Sequence, residues 1–126
     1  MRKITKPENL FWTKTHSYSP TILRDLQKQI FQNPKIKDQQ YLMELLVVET
    51  RLQILVLLSH KSYICVGDIA DVLRLDISAV SHQLQVLRRE NLVSFKKRGK
   101  VVYYSISKTL PKLVEVVLTS ALNSQS

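Results

Sequence analysis

The chain is 126 residues long with a formal net charge of +9 and a pI near 9.9, a length that predicts one domain and a small core. Apolar residues make up 44% of it, against two glycines and four prolines, which excludes a disordered chain and disfavours a loop-rich β architecture. The surplus of cations points to a polyanionic partner, while the single cysteine, Cys65, the absence of an apolar stretch behind Met1 to Pro7 and the short apolar runs point to a cytoplasmic protein with no secretory signal or membrane span.

Residues 1–17 read as an irregular arm carrying Phe11, Trp12 and His16, and residues 18–126 as a single domain. Ser19-Pro20 predicts a helix start, with serine as cap and proline at the first helical position. Ile22, Leu23, Leu26, Ile30 and Phe31 then share one face, and Asn33-Pro34 stops the helix. A second helix is expected from about Asp38 to Val48, with Leu42, Leu45 and Leu46 inward. A third begins near Thr50 as cap and carries Leu52, Leu55, Val56 and Leu58 as far as about His60.

Cys65 to Leu73 predicts a short helix with Ile69, Ala70 and Leu73 inward. Arg74-Leu75-Asp76 makes a tight turn in which Asp76 can cap the next helix, Ile77 to about Glu90. That helix buries Val80, Leu84 and Leu87 and turns Ser78, Ser81, His82, Gln85, Arg88 and Arg89 outward. The period then changes. Leu92 to Phe95 and Val101 to Ile106 are β-rich, and Lys97-Arg98-Gly99-Lys100 joins them as a hairpin. A last helix is expected over about Lys108 to Asn123, with Pro111 in its first turn and an apolar stripe of Leu110, Leu113, Val114, Val117, Leu118 and Ala121. The order is that of a mainly α winged helix-turn-helix with a small β-hairpin and extra helices at both ends.

A short helix, a three-residue turn and a longer helix can set the second helix in a major groove of double-stranded DNA. Ser78, Ala79, Ser81, His82 and Gln83 place small polar groups at its N-terminal end, where serine and glutamine can bond base edges and the free N–H groups suit a phosphate. Gln85 and Arg88 continue that face. Between Arg88 and Lys100 stand six cations (Arg88, Arg89, Lys96, Lys97, Arg98, Lys100) and one acid, Glu90. Lys97, Arg98 and Lys100 at the hairpin tip suit a phosphate backbone and predict steep salt dependence. The plainer alternatives are a solvated charged hairpin, a surface histidine at position 82 and a winged helix used for protein–protein assembly. No nucleophile–base pair, phosphate loop or paired metal motif suggests an enzyme, and His16, His60 and His82 lie on separate elements. The cations cluster on a hairpin and not along an amphipathic helix, so no membrane partner is expected.

Four stretches in order, Glu49 to Leu55, Cys65 to Ala70, Ser78 to Arg88 and Arg98 to Tyr104, resemble the arsenical-resistance and metallothionein repressor family (ArsR/SmtB) over about Tyr41 to Ser107. The resemblance implies a repressor of nearby genes, released by an effector. It also implies a homodimer in which the first and last helices pack between protomers, here through Ile22, Leu26, Ile30, Leu113, Val117 and Leu118. Such a dimer reads a near-palindromic site with half-sites about one helical turn apart. The family's usual Asp-Pro ahead of Thr-Arg-Leu is replaced by Val48-Glu49, which predicts a softened break or nearly continuous second and third helices.

Metal-sensing members of the family use two recurrent sites. The site on the last helix needs histidines, and that helix has none here. The other joins the arm to the first helix of the helix-turn-helix, where Cys65 and Asp68 match the zinc-type pattern at i, i+3 and His16 would be a third ligand. A single thiolate argues against arsenic, cadmium or lead. Cys65 as a small buried hydrophobe, a redox-responsive Cys65 and a regulator without an effector stand as the alternatives.

Overall fold

The computed structural model describes residues 17–123. The chain divides into two compact units between Asp38 and Gln39. The first contains helix α1 (Pro20–Phe31) and the opening turn of α2 (Pro34–Leu46). As expected, Ser19 caps α1, its Oγ accepting from the Ile22 N–H at 3.4 Å. Pro34 has two roles. It stops α1, and it also starts α2 four residues ahead of the expected Asp38, because its missing N–H costs nothing at the first helical position. Asn33 caps that start, its side-chain oxygen accepting from the Lys35 N–H at 3.0 Å. No residue of α1 is buried, and Ile22, Leu26, Ile30 and Phe31 are all exposed.

The second unit holds the rest of α2 and then α3 (Glu49–His60), β1 (Ile64–Cys65), α4 (Val66–Leu73), α5 (Ile77–Arg89), β2 (Val93–Arg98), β3 (Val101–Ile106) and α6 (Lys112–Asn123). Helices α2 and α3 are not continuous. Val48 adopts an extended backbone (φ −75°, ψ 114°) at the cap position, so the break survives without a proline, and Thr50 lies inside the helix instead of capping it. Ile54, Leu55, Ile69, Val80, Leu84, Leu87, Leu92 and Val114 are fully buried and form the centre of the core. Four elements supply seven of them: α3, α4, α5 and α6, with Leu92 just after α5.

Two differences from the sequence expectation shape the wing. First, a three-stranded antiparallel sheet forms in the order β1-β3-β2. Its short strand β1 pairs Ile64 with Tyr104 and Cys65 with Tyr103. Cys65 therefore belongs to the sheet and occupies the cap position of α4 without a side-chain capping bond, and α4 starts one residue later than expected. Second, β2 does not end at Phe95. Lys97 pairs with Val102 and Arg98 with Val101, leaving Gly99-Lys100 as a two-residue turn. Gly99 carries φ +62° at the first turn position, which a tight hairpin requires and glycine allows.

Helix α6 starts at Lys112, four residues after the expected Lys108. Pro111 stands before it, with its carbonyl accepting from the Glu115 N–H at 3.1 Å. Part of its stripe is used within the protomer. Val114 and Leu118 enter the unit's own core, and Val117 packs against it. Leu118, expected at a subunit interface, is only 4% exposed and is used internally. No described helix is long and apolar enough to cross a membrane.

Candidate nucleic-acid interface

Helix α4, a turn and helix α5 form the helix-turn-helix. The turn is closed by Arg74, which takes the left-handed conformation (φ 58°, ψ 46°). The Leu75 N–H then reaches the Ala70 carbonyl at 3.0 Å, and the Arg74 N–H reaches Asp71 at 3.3 Å, the paired bonds of a Schellman stop. Asp76 occupies the cap position of α5, yet its side chain makes no capping bond, contrary to expectation. The carbonyl of Asp76 still accepts the first helical bond, from the Val80 N–H at 3.1 Å.

Burying Val80, Leu84, Val86 and Leu87 fixes which side of α5 faces out. Ser78, Ala79, His82, Gln85 and Arg88 are exposed, and Ser81 is half-buried on the edge of the same face. Gln83 differs. It is half-buried, and its side-chain oxygen accepts from the Arg51 Nε of α3 at 2.8 Å. Arg51 also reaches the Leu45 carbonyl of α2 at 3.4 Å through Nη1. It thus ties three helices together and holds the α5 face in place. Sequence reasoning missed that role, although Arg51 lies within the Thr-Arg-Leu stretch that carried the resemblance.

Arg88 does more than add charge. Its guanidinium carbon lies 3.7 Å from the centroid of the Phe95 ring on β2, a cation–π contact between the end of α5 and the base of the wing. Phe95 in turn neighbours Tyr104 across the sheet, with centroids 6.5 Å apart. At the other side of α5, Glu90 accepts from the Tyr41 hydroxyl of α2 at 2.6 Å. That bond, with the charge of Glu90, holds the Tyr41 pKa above its ordinary value.

Strand alternation splits the wing cations over two faces. Phe95 and Lys97 share the face turned to α5, while Lys96 and Arg98 share the opposite face with their neighbour Tyr103. Lys100 sits in the tip turn. All four wing cations are exposed. The structure therefore brings the expected α5 residues and the wing into one unit, with Gln83 partly withdrawn.

The expected metal residues are only partly assembled. Cys65 is half-buried at the start of α4 and Asp68 is exposed in its first turn. Among the described residues no third histidine, cysteine or acid joins them to make a group that could hold a metal ion. His16, like Phe11 and Trp12 of the arm, lies outside the described residues.

Comparison with known proteins agrees with this geometry. Residues 49–94, which run from α3 into β2, match the bacterial regulatory protein family arsR. The chain is 31% identical over 85 residues to a transcriptional repressor SmtB homolog of Synechocystis sp., covering 68% of this chain and 64% of that one. It thus spans just under two thirds of that relative's length. It is 34% identical over 80 residues to the arsenical resistance operon repressor of Escherichia coli K12, covering 64% of this chain and 68% of the repressor. Among solved structures, the transcriptional regulator HlyU of Vibrio vulnificus superposes with a TM-score of 0.65 at 27% identity, over 81% of this chain and 99% of that one. Winged fold, aligned repressors and profile match converge: this chain belongs to the ArsR/SmtB family of bacterial regulatory proteins.

Proposed function

We propose that the protein is a sequence-specific DNA-binding transcriptional regulator that works as a homodimeric repressor. One observation carries this reading. The N-terminal face of α5 (exposed Ser78, Ala79 and His82, with half-buried Ser81 at its edge) and the cationic wing (Lys97, Arg98, Lys100) belong to one unit, tied by the Arg88–Phe95 stack. In this arrangement α5 lies in the major groove and reads base edges, with Gln85 and Arg88 further along. The wing meets the phosphate backbone beside it. Arg51 holds Gln83 and so sets the angle at which α5 presents its face.

The dimer forms through α1, whose Ile22, Leu26 and Ile30 are exposed, with Leu113 and Val117 of α6 contributing their half-buried edges. Two copies related by a two-fold axis read two half-sites about one helical turn apart. An effector releases the repressor. Zinc would enter at Cys65 and Asp68, but these two donors are half of the four that zinc usually takes. His16 or the second protomer would have to bring the others.

The test is fluorescence anisotropy of the chelated full chain on its own upstream DNA against a scrambled duplex, over a salt series, with zinc added last. The parent should prefer the upstream DNA. Replacing Lys97, Arg98 and Lys100 with alanine should weaken binding and flatten the slope of log K against log salt by up to about 2.7 per protomer engaged, from three phosphates at about 0.9 each. A triple variant that binds as tightly as the parent, with the same slope, removes the wing from the interface. Release by zinc supports the Cys65–Asp68 entry, and indifference to zinc moves the effector elsewhere.

A further inference from the structure

On the outer face of the wing sheet, away from α5, Tyr63, Lys96, Arg98 and Tyr103 line a half-open cleft of about 290 Å³. We propose that this cleft binds a planar organic anion, an aromatic or conjugated carboxylate.

Three observations support this. The lining is two flat rings and two cations, with no acid among them. The register builds it deliberately. Lys96 lies directly opposite Tyr103 on β3, and Cys65 flanks Tyr103 on the other side, so strand alternation sends all three to one face. The Lys96 ammonium lies 5.3 Å from the centroid of the Tyr63 ring, and so stands at the edge of the cleft with donors to spare. The third observation concerns Tyr63 itself. It adopts φ 60°, in the left-handed region, and the residue is 53% exposed. A bulky L residue is strained in that conformation, whereas asparagine or glycine holds it readily. Core packing does not demand a tyrosine at this place. Strain kept at an exposed aromatic residue beside two cations points to a ligand.

A carboxylate would accept from Lys96 and Arg98, the guanidinium offering paired N–H groups. The flat body would lie against the tyrosine rings, which favour an unsaturated surface over a saturated one of equal size.

The proposal does not need DNA, so its test is separate from the regulator reading. The isotope-labelled full chain is titrated with 2-naphthoate and followed by NMR. Saturable shifts should centre on Tyr63, Lys96, Arg98 and Tyr103, with half-saturation at about 1 mM, the scale for a ligand of about a dozen heavy atoms. Cyclohexanecarboxylate and inorganic phosphate should bind at least about fivefold more weakly, because they lack the flat face. Tyr63→Asn should keep or raise the Tm, since it relieves the backbone, yet weaken naphthoate by a similar factor. Arg98→Ala should weaken naphthoate and leave the Tm unchanged. Shifts that do not saturate at these four residues overturn the site. So does a Tyr63→Asn variant that binds like the parent. Phosphate binding as tight as naphthoate overturns the planar class.

Discussion

Helices α1 and α6 carry similar apolar stripes, and the molecule uses them differently. In α6, Val114 and Leu118 sink into the core of the winged unit, and only the flanks of the stripe remain partly open. In α1 no side chain is buried, and Ile22, Leu26 and Ile30 stay exposed. Helical periodicity identifies a face that seeks cover, and both helices have one. It does not say whether the cover lies in the same chain. With the proposed homodimer, the comparison predicts that damage to α6 unfolds the protomer, whereas damage to α1 separates protomers.

The sharpest way to break this contrast is Leu118→Ala. Deleting a buried leucine should cost about 2–4 kcal/mol of unfolding free energy, read as a lower urea midpoint with an unchanged m-value. A cost near zero would mean that α6 is not a core helix. The corresponding change on the other side is Leu26→Asp. It should leave the secondary structure intact by circular dichroism and raise the dimer dissociation constant about tenfold or more in analytical ultracentrifugation, since one apolar side chain of this size contributes at that level. A dimer as tight as the parent's would shift the interface away from α1.

The smallest expected effect lies within the second unit. Helix α2 begins in the first unit and continues into the second, where Tyr41 donates to Glu90. The raised Tyr41 pKa means that the folded protein holds this proton more tightly than the unfolded chain. The stability this provides is present in full below the ordinary tyrosine value of about 10 and is lost as the pH rises through the folded value. Tyr41→Phe should therefore lower the Tm slightly at neutral pH and remove part of the alkaline fall in Tm that the parent shows. Identical alkaline limbs in parent and variant would separate Tyr41 from Glu90 in solution.

The sequence expressed the helical core well, for a physical reason. Val80, Leu84 and Leu87 recur at the helical period and bury as expected, and so do Ile69 and Ala70. Elements fixed by other means were harder to read. Strand β1 has only two residues, too few for any period, and exists because β3 offers it an edge. Lys97 and Arg98 were expected in the connection, since a run of cations hides the alternation that places them in a strand. Pro34 was legible as a stop, but a proline that ends one helix can begin the next. At the candidate interface, the outward face of α5 followed from its buried face. The bond between Arg51 and Gln83 joins positions far apart in the chain and has no local signature. The cleft around Tyr63 was invisible for the same reason, and its strained backbone has no trace in the residue types.

The register of β2 has a consequence for how the wing can grip. Its ribbon is only two strands wide at the tip, and successive side chains leave it on opposite faces. Lys97 projects from one face and Lys96 with Arg98 from the other. If the proposed DNA binding sets the ribbon edgewise between two sugar–phosphate walls, each face would meet one of them. A ligand covering only the outer face would loosen the hold on one strand of the duplex and spare the other. Release would then be graded, with the protein sliding on a weakened grip before it leaves.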